Sequence, residues 1–126
     1  MYTVFRFTSE SLPSGVLERL GGTLNTVVPG AFTGLRRVND GFVCEIADSD
    51  QWENHHAAIL GFIHRAGPMI GEALEGGVDV CIDVAIEPED MEAAVVLSIV
   101  VDPTLAERLA KAGVTLALSF YGAGNA

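Results

Sequence analysis

Basic residues are scarce in this 126-residue chain: 7 lysines and arginines stand against 17 aspartates and glutamates, for a formal charge of −10. Such a chain is repelled by phosphate backbones and by anionic lipid, which argues against nucleic acid and membrane surfaces as partners and favours a basic protein or a cation. Cysteine is scarce too. Cys44 and Cys81 lie far apart, in apolar stretches and without CxxC spacing, so two reduced, buried thiols are expected. Long apolar runs are missing: none approaches the ~20 residues of a spanning helix. The opening MYTVFRFTSE has no basic segment followed by an apolar one, and so does not read as a signal peptide. A soluble, cytoplasmic protein is the expectation.

Catalytic signatures are also lacking. There is no G-x-S-x-G, no P-loop and no G-x-G-x-x-G after a strand. Glu87-Pro88-Glu89-Asp90-Met91-Glu92 is acidic but has a proline and no glycine, unlike a calcium-binding EF-hand loop. No cofactor and no metal site is expected.

What is present is a hydrophobic fraction of 49%, enough for one folded domain over residues 1–126. Tyr2–Thr8 alternates as a strand. Pro13–Leu20 reads as a short helix closed by Gly21-Gly22, and Thr23–Val28 as a strand. Asn39-Asp40-Gly41 marks a turn into a strand over Gly41–Ala47. From Asp50 to Gly76, a helix is predicted with Trp52, His55, Ile59, Phe62, Ile63, Ala66 and Ile70 on one stripe. Asp50 and Glu53 have capping-box spacing, and Gly67-Pro68 should kink or break the helix near its middle. Val78–Ile86 alternates, with Val80, Ile82, Val84 and Ile86 on one face and Asp79, Cys81, Asp83 and Ala85 on the other. Ala94–Val101 is apolar on both faces and reads as a central strand. Asp102-Pro103 then opens a helix, Gly113 closes it, and Thr115–Tyr121 is the last strand. The order β-α-β-β-α-β-β-α-β implies an α+β fold, a mostly antiparallel sheet with helices packed on one face, ferredoxin-like in spirit.

The opening strand, LPSGVLERLGG, Gly30, GFVCEI, HHAAILGFI and the closing LAERLAKAGVTLALSFY together resemble the uncharacterised bacterial DUF4279 domain family. Phe42 or Val43 stands where that family usually has a tryptophan, and Pro29 where it often has a lysine. The resemblance implies a small α+β fold and no particular activity.

Asp79, Asp83, Glu87, Glu89 and Asp90 form the densest run of acids. Carboxylates four apart on a strand lie ~13 Å from each other, too far to clasp one metal ion. A solvated acidic face, used to dock a basic protein in the manner of an immunity protein or antitoxin, is the leading functional expectation. The alternative is a small-molecule cleft or enzyme site near Phe42, Trp52 and His55. His55 and His56 diverge by 100° on a helix and do not have the spacing of a zinc pair. His55 is expected to tie the helix to the sheet. Ala57 and Gly61, together on the opposite side of the helix, suggest a helix contact in a homo-oligomer.

Overall fold

The computed structural model describes residues 1–8, 22, 36–38, 41–93 and 96–122. The strands are β1 (Tyr2–Thr8), β2 (Arg36–Val38), β3 (Gly41–Asp48), β4 (Asp79–Ile86) and β5 (Thr115–Phe120). The helices are α1 (Trp52–Glu75), α2 (Pro88–Ala93) and α3 (Pro103–Ala112). The expected helix at Pro13–Leu20, the strand at Thr23–Val28 and the turn residues Asn39 and Asp40 lie outside the described residues.

The five strands form one mixed sheet in the order β2-β3-β1-β4-β5. β1 runs antiparallel to both β3 and β4, and β2 antiparallel to β3. β4 and β5 are parallel, so the chain between them is a crossover. The architecture is α+β, as the element order implies.

The expected alternation explains the core. Phe5, Phe7, Cys44, Val80, Ile82, Val84 and Ile86 point to one face of the sheet, where the α1 stripe and Leu105 and Leu109 of α3 cover them. All seven residues of the predicted α1 stripe are buried. Phe5 and Phe62 lock strand to helix, with ring centroids 4.6 Å apart and tilted by 49°, a geometry that aromatic quadrupoles favour.

α1 continues unbroken through Pro68. A proline removes one backbone donor, but Ala66, Met69 and Ile70 are buried on either side of it and hold the turn against the core. The capping box does not form. Gln51 is the N-cap and makes no side-chain cap; Ser49 Oγ instead accepts from the Gln51 backbone N–H and from Asn54 Nδ2. α3 follows its expected signals. Asp102 accepts from the Leu105 N–H at 2.8 Å with Pro103 at N1, and Gly113 takes φ +71, the left-handed conformation that glycine adopts without strain.

Three expectations are corrected. Residues 96–101 form no strand. They lie within the β4-to-β5 crossover, and β5 occupies the position beside β4 that a further strand would need. Leu97 and Ile99 turn inward while Val96, Val100 and Val101 stay exposed. The interior apolar strand is therefore β4, flanked by β1 and β5, and its second face is only partly wet: Asp83 is 7% and Ala85 1% exposed, while Cys81 is half-buried. Of the two acids that β4 puts there, Asp79 is exposed and Asp83 buried. The acidic segment Glu87–Glu92, which reads as a turn leading out of β4, is mostly the short helix α2.

Candidate functional site

Two cavities adjoin at Trp52, on the first turn of α1. The larger, about 570 Å³, is lined by Asp50, Gln51, Trp52, Glu53, Glu89, Asp90, Val96, Leu97 and Ser98. The smaller, about 230 Å³, is lined by Trp52, Glu53, His56, Val100 and Asp102. Three pieces of chain meet here: the start of α1, helix α2, and the connection 96–102. Trp52 joins them. It is 8% exposed, and its indole N–H donates to the Val100 carbonyl at 3.0 Å, which fastens the connection to the helix.

Among the described residues the lining carries four carboxylates and no basic side chain. Asp90 is already engaged. Its Oδ1 pairs with the Met1 ammonium at 2.7 Å and its Oδ2 accepts from the Glu87 backbone N–H at 2.8 Å. The hydrogen bond from that ammonium is the largest influence holding its carboxyl below the ordinary aspartate value. Asp50, Glu53 and Glu89 are exposed, and among the described residues no cation pairs with them. The larger cleft therefore presents uncompensated negative charge beside an aromatic wall.

His56 adds a second kind of group. Its Nε2 lies 3.1 Å from Asp102 Oδ2, and its ring meets Trp52 edge-on with centroids 6.3 Å apart. The Leu105 N–H and then His56 hold the Asp102 carboxyl below its ordinary value. His56 is thus oriented by a carboxylate and faces a cavity.

The sequence-based candidates separate. Trp52 lines both cavities. His55 lines neither: it is fully buried, with Nδ1 2.7 Å from Thr3 Oγ1 and Nε2 2.7 Å from the Ser49 carbonyl. A carbonyl only accepts, so Nε2 carries a proton and donates to it. This ties α1 to β1 and leaves no ring nitrogen free for chemistry. Phe42 belongs to β3, and its side chain lies outside the described residues. Glu89 and Asp90 line the larger cleft, while Glu87 is partly buried at its edge of α2. Asp83 is shared between Ser119 Oγ at 2.7 Å and Arg6 at 3.4 Å, and Asp79 starts β4, ~23 Å of strand away from Ile86. The five acids are not one surface.

Asp50, Glu53, His56 and Asp102 were absent from the sequence-based candidate set. A signal existed for the last: an aspartate–proline helix start fixes Asp102 in space, but only the fold reveals that it meets His56. Cys44 is buried, which pushes its thiol up to about 12. Burial first and Asp83 second raise Cys81. Neither resembles an activated thiolate. Among the described residues no set of three or more histidine, cysteine or acidic side chains can hold a metal ion, and no helix is long and apolar enough to cross a membrane. The chain matches no family model, no curated protein and no solved structure.

Proposed function

We propose that this protein is a non-enzymatic binding protein that captures a basic protein partner, in the manner of an immunity protein or antitoxin. The observation that carries the reading is the larger cleft, in which Asp50, Glu53 and Glu89 stand exposed around Trp52 with no base among the described lining residues. A lysine or arginine side chain of the partner is the natural occupant: it neutralises the carboxylates, and the aromatic wall favours a cation. The chain's charge of −10 accelerates encounter with such a partner. The docking surface differs from the run of acids in sequence; it keeps Glu89 and Asp90, leaves out Asp79, Asp83 and Glu87, and adds Asp50 and Glu53. The DUF4279 resemblance adds a fold to this proposal and no activity.

The test is capture from lysate at low and high salt, using the wild-type chain and the triple variant Asp50→Asn, Glu53→Gln, Glu89→Gln as baits. A basic protein held by the wild type at low salt, and lost both at high salt and in the triple variant, is the expected result. Equal capture by the triple variant overturns the cleft assignment.

A second reading rests on His56 and Asp102 at the 230 Å³ cavity. A histidine oriented by a carboxylate beside an aromatic ring suits a small-molecule site or acid–base chemistry. A melting shift with a panel of small organic ligands that disappears in His56→Ala would favour it over protein docking.

A further inference from the structure

Charge is unevenly spread along the chain. Of the 17 acids, 15 fall in residues 1–92, together with 5 of the 7 bases. Residues 93–126 hold two of each and carry no net charge. Among the described residues the exposed large apolar side chains gather toward the C-terminal end. Met91, Val96, Val100, Val101, Leu118, Phe120 and Tyr121 are the large hydrophobic residues that the described chain leaves exposed, all between 91 and 121.

The two edges of the sheet differ in the same sense. Among the described strands one end is β2, only three residues long, and a short edge strand discourages further pairing. β5, Thr-Leu-Ala-Leu-Ser-Phe, is twice as long and has no charge, proline or glycine. Among the described residues it pairs only with β4, so alternate backbone N–H and C=O groups on its other side are left without a strand partner there. Leu118 is 41% and Phe120 65% exposed.

We infer that β5 pairs with β5 of a second copy of this chain, antiparallel about a two-fold axis, to join two five-stranded sheets into one. Three features select a second copy as the occupant. The edge is self-complementary: an axis through Leu118 sets Leu118 against its own equivalent and Leu116 against Phe120 of the second copy, on the helix-bearing face. Ala117 meets Ser119 on the other face, and no charge opposes a like charge at any position. Such an isologous contact closes after two subunits. Finally, copies that each carry −10 repel one another wherever the acids lie, and the neutral C-terminal segment 93–126 is where they can meet. The Ala57 and Gly61 side of α1 offers no comparable anchor; both residues are small, and nothing lies within 4 Å of a Cβ placed at Gly61.

A single strand pair is smaller than the roughly 800 Å² per partner of a standard interface. The association is therefore a concentration-dependent monomer–dimer equilibrium. It does not depend on the cleft, which sits on other residues.

Sedimentation velocity of the wild-type chain across a concentration series, at low and high salt, tests the inference. A dimer that grows with concentration and strengthens as salt screens the net charge is expected. Leu118→Lys and, separately, Phe120→Lys should each return the chain to monomer with circular dichroism and melting unchanged; the two exposed sites guard against a single variant that misfolds. A chain that stays monomeric at every concentration and salt overturns the proposal. So does a dimer that persists in both folded variants, or one that salt dissolves. In Leu118→Cys, oxidation should link two copies through residue 118; failure to link while the dimer is present overturns the register.

Discussion

His55 and His56 are neighbours in the chain and opposites in the fold. His55 is sealed beneath α1, both ring nitrogens occupied by Thr3 and the Ser49 carbonyl. His56, one step round the helix, meets Asp102 at the rim of a cavity. The same side chain is a structural rivet in one place and an accessible, oriented group in the other. What separates them is the 100° between successive helical residues, which puts one on the buried stripe and the next at its border. The difference teaches that histidine content says little about chemistry until each ring nitrogen has been assigned a partner.

The comparison breaks most readily at His55. His55→Ala leaves the Thr3 hydroxyl and the Ser49 carbonyl without their partner and opens a cavity, and should cost about 3 kcal/mol in urea unfolding. His56→Ala should leave the urea midpoint almost unchanged. Equal losses in the two variants would remove the distinction.

A similar contrast holds for Asp83 and Asp79 on β4. Asp83→Ala removes the buried partner of Arg6 and Ser119 and should cost about 1–2 kcal/mol, whereas Asp79→Ala, at an exposed strand start, should be neutral by the same measurement.

Acid sharpens the picture of the open side. Asp90 and Asp102 have carboxyls held below their usual value in the fold. The unfolded chain therefore binds their protons first as pH falls. Their stabilisation is complete above the ordinary aspartate value of 3.8 and is lost as pH falls below it, through the folded values. An acid titration of stability should be shallower in Asp102→Asn than in the wild type over that window; superimposable curves would remove Asp102 from the account.

The smallest effect is chemical. At neutral pH a thiol reagent should label neither cysteine quickly in the native chain. Raising the pH should label half-buried Cys81 before Cys44, which should react only on unfolding. Rapid labelling of Cys44 in the folded protein would contradict its burial.

Much of this fold could be read from periodicity. The period-2 alternation of Tyr2–Thr8 and Val78–Ile86 and the 3.6-residue stripe of α1 report which side of each element meets the core, and Asp102-Pro103 and Gly113 mark helix ends through local backbone chemistry. The site was far less legible. Its walls come from the start of α1, from α2 and from 96–102, which only the crossover brings together. The run Ala94–Val101 misleads because apolarity on both faces describes a buried strand and an apolar crossover equally well. Asp83 misleads for a related reason: an acid in a strand reads as wet unless its neighbours are known, and Arg6 and Ser119 come from two other strands.

Trp52 is the chain's single tryptophan, and it sits where the cleft, the buried histidine and the crossover converge. Its indole stacks over His55 with a 10° interplanar angle and holds Val100 by one hydrogen bond. Ultraviolet emission excited at the indole band is therefore a local gauge rather than a global one. It reports the seating of residues 96–102 against α1, while far-ultraviolet dichroism reports the sheet and helices. Superimposable denaturation curves from the two signals would mean that the cleft and the core melt as one unit. An earlier transition in emission would mean that the crossover peels away first, and that the cleft is assembled by the last and weakest step of folding.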